Sequence, residues 1–426
     1  MHCLATPPDD GTPCTYRRIE GVERLERYKP GGYHPILLGD ILHGQYEVVQ
    51  KLGFGTYSTV WLTYDQKRSA YVAIKVCTAD APLREVEILR TLTKNQTNHP
   101  GLPILPVILD DFELQGPNGR HQCYVTRTAR SSVAGAKYSC CFEISVARAL
   151  VAQLILAVDY IHSHGYVHSD IHLGNILFRL SSSYDQFSPK QLCKQFGEPR
   201  TESLIRLDGK RLPPNAPIYG VIPAWLGKHA DQVRPCEAHV LLGDFGEAFN
   251  AKTEKRYGND CHVPLPVLPP EVIFEPEKSL SFSSDVWALA CATWSIFGMR
   301  SLFDGTLATQ DDIASQQIDT LGISSLPCKW WTEWAARHQY FEETGQPHGN
   351  RTVFPPLEQS FEEEIQTVRR EEGVEEFGEE EKAAVLAMLR SMLVFQPEKR
   401  ASAKSVMASE WMMDWGLPAL KCLRRD

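Results

Sequence analysis

The chain has 426 residues, of which 43% are hydrophobic and 23% charged, and its formal net charge is −9. This length allows roughly two or three domains or lobes that bury a substantial core. The excess of acidic residues disfavours direct binding to nucleic acid, because phosphates attract Lys and Arg, and it is compatible with a basic protein substrate.

Cysteine usage and apolar stretches indicate the compartment. The 12 Cys residues form no Cys-x-x-Cys pair, so we expect free thiols in a reducing compartment rather than a zinc site or a disulfide framework. Residues 1–18 lack the apolar core of a signal peptide. The apolar stretch at 286–299 is too short to span a bilayer and predicts a buried core helix. We expect a cytoplasmic or nuclear protein without a membrane partner, and we favour a monomer.

The first part of the chain predicts a small, sheet-rich unit with one helix. Residues 1 to about 35 contain several Pro residues and a Gly-Gly pair, and they predict a flexible N-terminal arm. Strand-forming stretches lie at 46–52, 59–62, 71–76 and 121–126. Residues 83–92 have the apolar spacing of a helix.

From residue 143 onward the pattern becomes helical. Apolar side chains recur at three- and four-residue steps up to Gly165, which predicts a long helix. The segment from about 181 to 239 is rich in Pro, Gly, Ser and charge, and it predicts a long insertion or linker. Further helices are predicted at 283–297, 329–341, 361–370, 380–393 and 403–411, followed by a C-terminal tail at 416–426.

A glycine-rich motif, Gly53-Phe-Gly55-Thr-Tyr-Ser58-Thr-Val60, lies between two predicted strands. Glycines let a backbone approach phosphate closely with its N–H groups turned toward it. The motif lacks the third glycine of the usual pattern, where Ser58 stands, and an ordinary hairpin turn is the alternative for the motif taken alone.

Lys75 lies inside an otherwise apolar predicted strand, where a cation is costly unless it is paired. A phosphate-binding role would give it a carboxylate partner on the following helix. Glu85 is the preferred partner, because Leu89 then falls one turn later on the inner face, and Glu87 is the rival. The alternative is an edge-strand lysine that reaches water.

Two further motifs supply the groups that phosphoryl transfer needs. In His168-Ser-Asp170-Ile-His-Leu-Gly-Asn175, Asp170 would accept or orient a substrate hydroxyl and Asn175 would bind a metal ion. In Leu241-Leu-Gly-Asp244-Phe-Gly, the acid follows an apolar strand and suits a hard cation. A plain polar turn is the alternative for the first motif.

The order of these motifs resembles that of eukaryotic protein kinases over about residues 40–415. Pro269-Pro-Glu271 is similar to the motif that closes their activation segment, Asp285 begins a sequence similar to their central helix, and Arg400 resembles the arginine that pairs with the Glu271 position. The resemblance implies an α+β, two-lobed fold. An antiparallel-sheet N-lobe with one main helix would span 36–129, and a mostly helical C-lobe would span 130–415.

The resemblance also implies an ATP-dependent serine/threonine protein kinase that uses Mg²⁺. The implied catalytic residues are Lys75, Glu85, Asp170, His172 and Asn175, and the implied Mg²⁺ ligands are Asp244 and Asn175. The implied ATP-binding residues are Leu52, Gly53, Phe54, Gly55, Thr56, Tyr57, Ser58, Thr59, Val60, Ala73, Lys75, Thr126 and Leu177.

Within the kinases the chain looks most similar to the SR-protein kinases and their divergent fungal relatives. Ser169 stands where most kinases have an arginine, a long spacer interrupts the predicted C-lobe, and an aromatic stretch occupies residues 327–341. This similarity implies an Arg/Ser-rich protein substrate. For the aromatic stretch, simple packing of an amphipathic helix is an equal alternative.

One departure bears on activity. His172 replaces the catalytic-loop lysine that in most protein kinases contacts the γ-phosphate, and a neutral His donates a hydrogen bond with less charge. The rivals to an active protein kinase are a catalytically weak, nucleotide-binding scaffold and a small-molecule phosphotransferase with a similar catalytic loop.

Two features predict regulation and substrate charge. The segment 244–271 offers Thr253 as its one Ser/Thr acceptor, and without an arginine at position 169 we expect activity without phosphorylation of this segment.

Residues 358–381 contain eleven Glu and two Arg. This acidic run is either a solvated, partly disordered insert or an electrostatic collector for Arg-rich substrates.

Overall fold

The computed structural model describes residues 15–82, 84–94, 97–138, 140–349 and 351–423, except for the side chain of Cys422. The chain forms two compact units. The N-terminal unit contains the described residues up to Arg90, Pro106–Ser131 and Arg179–Gly227, and the C-terminal unit contains Thr91–Leu105, Ser132–Phe178 and the remainder from Lys228.

The strands and α-helices are numbered in chain order. The strands are β1 (Ile41–Leu42), β2 (Tyr46–Gly55), β3 (Ser58–Asp65), β4 (Ala70–Cys77), β5 (Asp110–Gly116), β6 (Gly119–Arg127), β7 (Ala129–Ser132), β8 (Tyr166–Val167), β9 (Ile176–Arg179), β10 (Arg200–Ser203), β11 (Tyr219–Ile222), β12 (Val240–Leu242) and β13 (Phe249–Asn250). The α-helices are α1 (Arg84–Lys94), α2 (Val133–Ala136), α3 (Ile144–Ser163), α4 (Pro189–Phe196), α5 (Pro270–Phe274), α6 (Phe282–Phe297), α7 (Gln310–Leu321), α8 (Cys328–Glu333), α9 (Arg337–Tyr340), α10 (Leu357–Ser360), α11 (Thr367–Glu371), α12 (Glu379–Met392), α13 (Ala403–Met407) and α14 (Leu417–Cys422).

The N-terminal unit is built on a six-stranded antiparallel sheet with the order β1-β2-β3-β4-β6-β5. The predicted strands correspond to β2, β3, β4 and β6, and the predicted helix corresponds to α1, whose first predicted residue, Leu83, lies outside the described residues. One face of the sheet buries Val48, Trp61, Ile74 and Val125 in a common core. Each such side chain contributes about 1.5–3 kcal/mol through burial.

The prediction of a flexible arm is wrong for residues 15–35. Tyr16, Ile19, Leu25, Tyr28 and Tyr33 are buried together, and they pack against the insertion. The glycines of this segment lie in ordered, closely packed turns. At Gly32, for example, the backbone approaches so closely that an added Cβ would lie 1.8 Å from the carbonyl oxygen of Arg27. Residues 1–14 of the predicted arm lie outside the described residues.

The insertion predicted within the C-lobe belongs largely to the N-terminal unit, and it is folded rather than a linker. Residues 179–227 belong to the N-terminal unit, where α4 and the antiparallel pair β10–β11 are folded. Helix α4 begins with a capping box between Ser188 and Gln191, which satisfies backbone N–H groups at its start. Leu192 and Leu226 pack against Leu62 of the sheet, so apolar side chains spread through a polar segment give it a core.

The C-terminal unit is organised around α3 and α6, which are buried along nearly their whole length. The buried helix predicted at 283–297 is α6. By length and composition alone α3 would suffice to cross a membrane, but 89% of its apolar window is buried inside the protein. Burial of this kind is typical of the core helix of a soluble protein.

Several smaller predictions need correction in the C-terminal unit. The helix predicted at 329–341 is two short helices, α8 and α9, and Trp330, Trp334 and Phe341 lie in one core cluster, which favours the packing interpretation of the aromatic stretch. The predicted tail contains α14, which packs on α3. The acidic run is helical through α10, a π-helical segment Phe361–Gln366 and α11, so it is not a disordered insert.

Candidate active site

The glycine-rich motif forms the β2–β3 hairpin of the N-terminal unit. Gly53 pairs with Val60, and Gly55 pairs with Ser58 next to the turn. A Cβ built on Gly53 or Gly55 would meet no described atom within 4 Å. Packing within the protein therefore does not require glycine at these positions, and close approach of a ligand to the backbone is the physical reason that remains.

Four of the predicted ATP-binding residues share one face of the sheet. Val60 lies opposite Lys75 on the neighbouring strand, and Ala73 lies opposite Thr126, so the strand register brings these four side chains to the same side. Thr59 faces the other way: it is buried, and its hydroxyl accepts a hydrogen bond from the Trp61 indole at 3.0 Å. The side chain of Thr59 thus belongs to the core, and only its backbone is left to meet a nucleotide.

Lys75 pairs with Glu85, the partner preferred from the sequence. The distance from Lys75 Nζ to Glu85 Oε2 is 2.6 Å, and the two side chains are 19% and 10% exposed. The ammonium also lies 5.9 Å from the centroid of the Tyr124 ring. The rival acid, Glu87, is exposed. The cation is thereby held in place on the sheet face that also carries Val60, Ala73 and Thr126.

In the C-terminal unit the catalytic-loop residues converge on Asp170. The side-chain amide of Asn175 donates to Oδ2 of Asp170 at 2.8 Å and to its backbone oxygen at 2.9 Å. Nε2 of His172 lies 3.6 Å from Oδ1 of Asp170, and Nδ1 of His172 accepts from the backbone N–H of Gly174 at 3.1 Å. The predicted acid, metal ligand and phosphate-facing histidine therefore form one cluster.

Asp285 braces the backbone of this loop from the start of α6. Its carboxylate accepts from the backbone N–H of His168 at 2.7 Å and of Ser169 at 2.8 Å, and it lies 2.9 Å from Nε2 of His162. Ser169 has a φ of 64°, which is unfavourable for a residue with a side chain. The buried carboxylate holds this conformation.

Asp244 follows β12 beside the catalytic loop. Gly243 donates from its backbone N–H to the carbonyl of Asn175 at 2.8 Å, and its own carbonyl lies 3.1 Å from Nε2 of His168. Leu177, the ATP-binding candidate that lies in this unit, pairs with Leu241 across β9 and β12. These contacts fix the positions of Asp244 and Asn175 in one small region of the C-terminal unit.

The donor set in this region fits a hard divalent cation. Asp244 supplies carboxylate oxygens and Asn175 an amide oxygen, and Mg²⁺ in nucleotide sites typically takes one or two protein ligands and completes its shell with phosphate oxygens and water. Within the described residues no group of three or more His, Cys, Asp or Glu side chains could hold a metal ion by itself. The residues thus suit a metal that arrives with a nucleotide.

Glu271 and Arg400 form the buried ion pair expected from the sequence. Nη1 and Nη2 of Arg400 contact the two carboxylate oxygens at 2.8 and 2.5 Å. The guanidinium also donates to the carbonyls of Val394 and Phe395, at 2.6 and 3.0 Å. Ser284 adds a hydrogen bond to Glu271 at 3.1 Å. The paired charges and satisfied donors fix the end of the 244–271 segment.

A second anchor in the same segment was not predicted. Arg256 contacts Glu247 at 2.7 Å and Glu254 at 3.1 Å, and its guanidinium carbon lies 5.7 Å from the centroid of the Phe249 ring. The available signal was a single arginine set among acidic residues of the segment. Sequence spacing alone does not show that a loop folds back on itself in this way.

Comparison with known proteins agrees with this fold. The family model of the protein kinase domain matches residues 46–184 and 233–412, and the interval between the two matched parts falls inside the insertion. The match covers most of the chain, which therefore belongs to the protein kinase family. A crystallised kinase domain superposes with a TM-score of 0.60 at 17% identity, covering 89% of this chain and 98% of that chain; this likeness shows the fold alone.

Curated relatives define the kind of kinase. A serine/threonine protein kinase of Aspergillus fumigatus is 27% identical over 404 residues, covering 92% of this chain and 90% of its own. The serine/threonine-protein kinase SRPK of Physarum polycephalum is 25% identical, with coverages of 92% and 91%. Human SRSF protein kinase 3 is 31% identical over 180 residues, or 39% of this chain and 31% of that protein. The chain is an ATP-dependent serine/threonine protein kinase similar to the SR-protein kinases.

Proposed function

We propose that this kinase transfers the γ-phosphate of Mg-ATP to serine or threonine in basic, Arg/Ser-rich proteins. The names of similar proteins support this substrate class, since SRSF protein kinase 3 and SRPK are among them. The structural observation that carries the proposal is the pattern of neutralised and free carboxylates in the acidic run.

Phosphoryl transfer itself needs little covalent chemistry from the protein. The oxygen of the substrate hydroxyl forms a bond to the γ-phosphorus, the bond from that phosphorus to the bridging oxygen breaks, and the hydroxyl proton passes to Asp170. Asn175 holds the Asp170 carboxylate in place through its amide, and Lys75 positions the α- and β-phosphates. Asp244 and Asn175 would hold Mg²⁺, which when bound neutralises charge on the phosphate oxygens.

His172 takes the position beside Asp170 that faces the γ-phosphate in the family. Its Nδ1 accepts the Gly174 N–H, so in the neutral ring the proton lies on Nε2, the nitrogen directed toward Asp170. The imidazole then donates one hydrogen bond without a permanent positive charge. We propose that it orients the reacting groups and contributes less phosphate stabilisation than a lysine would.

Part of the acidic run is neutralised inside the C-terminal unit. Glu381 pairs with Arg148 at 2.5 Å, Glu376 pairs with Arg370 at 2.6 Å, and Glu362 pairs with Lys382 at 2.7 Å. Glu358 and Arg390 also form an ion pair. Glu364 is half-buried, and desolvation raises the pKa of its carboxyl. These five side chains are poorly suited to attract a distant substrate.

Six other carboxylates of the run are exposed. Glu379 lies 4.0 Å from Lys382 and Glu363 accepts a hydrogen bond from Gln359, which leaves Glu371, Glu372, Glu375 and Glu380. Within the described residues these four form no salt bridge with Lys, Arg or His. Clustered free charges of one sign raise the association rate of an oppositely charged partner, and salt screens the effect once the Debye length falls to about 10 Å. An Arg-rich peptide has the complementary charge. We name these four residues the acidic patch.

The test is to replace all four residues of the acidic patch with Gln and to measure kcat/KM for an Arg/Ser-repeat peptide and for a neutral serine peptide. We expect a loss for the basic peptide that is large at low salt and small at high salt, with the neutral peptide unaffected. The control replaces Glu342, Glu343, Glu410 and Asp414, which are exposed acids outside the run, with Gln or Asn. Equal losses in both variants, or no loss in either, contradict the proposal.

We also propose that the protein works in the cytoplasm, the nucleus or both. No disulfide joins any of the nine cysteines whose side chains the structure describes, which is the usual state in a reducing compartment. Localisation of a tagged full-length chain in its own cells tests this proposal, and a secreted product contradicts it.

A further inference from the structure

We propose that Arg27 and Tyr33 are positioning residues that hold the tip of the glycine-rich hairpin in place for the phosphates of ATP. The inference concerns the N-terminal segment at residues 23–33, which precedes the first strand of the sheet. It rests on the proposed role of the hairpin as a cover for the phosphates. All the contacts that support it lie within the N-terminal unit.

The hairpin tip is the part that needs an external support. Gly55, Thr56 and Tyr57 are exposed, and Tyr57 is 51% exposed. Exposed tips with glycine are ordinarily the most mobile part of a hairpin. A mobile tip must lose conformational entropy when its N–H groups settle around a phosphate, and this loss weakens binding.

Arg27 contacts the tip in two ways and also lies beside Asp80. Its Nη1 donates to the carbonyl oxygen of Thr56 at 2.5 Å, and its guanidinium carbon lies 5.7 Å from the centroid of the Tyr57 ring. Nη2 lies 3.6 Å from Asp80, which follows β4. The planar guanidinium thus joins the tip to the residues that follow β4. A lysine side chain cannot make these contacts in the same geometry.

Tyr33, a buried residue, supports the tip through its hydroxyl group. Its hydroxyl donates to the carbonyl oxygen of Gly55 at 2.7 Å and lies 3.4 Å from that of Thr56. The ring is 1% exposed, and burial raises the pKa of the phenol, so the hydroxyl keeps its proton and acts as a donor. Both contacts use carbonyl oxygens of the tip, so Tyr33 itself occupies none of the backbone N–H groups.

The N-terminal segment is itself held firmly enough to serve as a support. Glu23 is buried, and its Oε2 pairs with Lys51 of β2. The hydroxyl of Tyr28 donates to the other oxygen, Oε1, so the link to the sheet does not pass through Tyr28. The backbone N–H groups of Ala79 and Asp80 donate to the carbonyls of residues 32 and 31, at 3.1 and 2.8 Å. The support is therefore attached to the sheet on both sides of the hairpin.

The experiment compares Tyr33→Phe with Tyr28→Phe in the full-length protein. Each variant removes one buried hydroxyl from the same core cluster, in which the two rings lie 5.6 Å apart, but only Tyr33 contacts the hairpin tip. Calorimetry gives the Kd of each protein for Mg-ATP and for adenosine, which has no phosphate. The thermal midpoint of each variant reports the general loss of stability.

We expect Tyr33→Phe to weaken Mg-ATP binding by roughly three- to tenfold, the value of one hydrogen bond, and to leave adenosine binding unchanged. Arg27→Gln should behave in the same way, and Tyr28→Phe should change neither affinity. An equal loss in both tyrosine variants, a parallel loss of adenosine affinity, or unchanged Mg-ATP binding in Tyr33→Phe overturns the inference. If the wild type does not bind Mg-ATP more tightly than adenosine, the underlying role of the hairpin fails, and the inference fails with it.

Discussion

Arg256 donates from Nη1 to Oε2 of Glu247 at 2.7 Å, and this contact ties the middle of the 244–271 segment to its beginning. Glu254 accepts from the same guanidinium. In many kinases a phosphate added to this segment supplies the charge that orders it. In this chain the segment contains its own pair of opposite charges, because Arg256 contacts Glu247 and Glu254, and no added phosphate is needed to supply them.

The first prediction is that activity does not depend on phosphorylation of this segment. Phosphatase-treated enzyme and Thr253→Ala should keep wild-type kcat/KM, because Thr253 contributes to neither ion pair. Arg256→Gln should lower kcat/KM several-fold, because both glutamates lose their shared partner. Loss of activity after phosphatase treatment, restored by an upstream kinase, contradicts this prediction.

The second prediction concerns Lys75. Replacement with Met should lower phosphotransfer by at least about 100-fold, because misplacement of a reacting group by 1 Å has costs of that size. The fold should persist, because Met occupies a volume similar to that of Lys. Peptide phosphorylation and the far-UV circular dichroism spectrum measure the two effects, and near-normal transfer excludes the assigned role.

The third prediction concerns stability at Arg369, which is fully buried. Its guanidinium donates to the carbonyls of Glu375, Phe297 and Phe142, at 2.6, 3.0 and 3.1 Å. Arg369→Ala leaves these buried acceptors unsatisfied and should lower the free energy of unfolding by about 3 kcal/mol or more. The neighbouring Arg370 is exposed and only pairs at the surface, so Arg370→Ala should cost about 1 kcal/mol or less. Urea unfolding that shows similar losses for the two variants contradicts the assignment.

The fourth prediction concerns pH. Burial lowers the pKa of Lys137 from 10.5 to about 8. Between these two values the unfolded state binds more protons than the folded state, so the contribution of Lys137 to the free energy of unfolding rises with pH, by no more than about 3 kcal/mol. The measurement is the unfolding free energy of wild type minus that of Lys137→Met, taken at pH 7.5 and at pH 9.5. The first pH is roughly half a unit below the folded-state pKa, and the second is roughly one unit below the unfolded-state pKa. A difference that falls with pH contradicts the assignment.

Much of the fold and of the site was predictable because the relevant signals are local. A lysine in an apolar strand, an acid after a strand and an Asp–Asn pair five residues apart each occur in short stretches, and the order of the stretches carries the family resemblance. The strand register then places Val60 and Ala73 on the Lys75 face, a consequence of simple alternation. The same alternation removes the side chain of Thr59 from that face.

The wrong predictions involve contacts between distant parts of the chain. Proline and glycine in residues 15–35 indicate turns, and only the packing of Tyr16 and Tyr28 against Leu204 of the insertion shows that those turns are ordered. In the insertion, Ser188, Pro189 and Gln191 form a helix-start signal that composition obscured. In the acidic run, the composition did not show that Arg369 is buried, because its partners are backbone carbonyls from other elements.

The most direct test of the whole account is phosphate transfer from γ-labelled ATP, in the presence of Mg²⁺, to an Arg/Ser-repeat peptide by the purified full-length protein. The account predicts label on serine or threonine, and a loss of transfer in Asp170→Asn, which keeps the shape of the side chain and removes the charge that accepts the proton. Absence of transfer by the wild type, or undiminished transfer by Asp170→Asn, contradicts it.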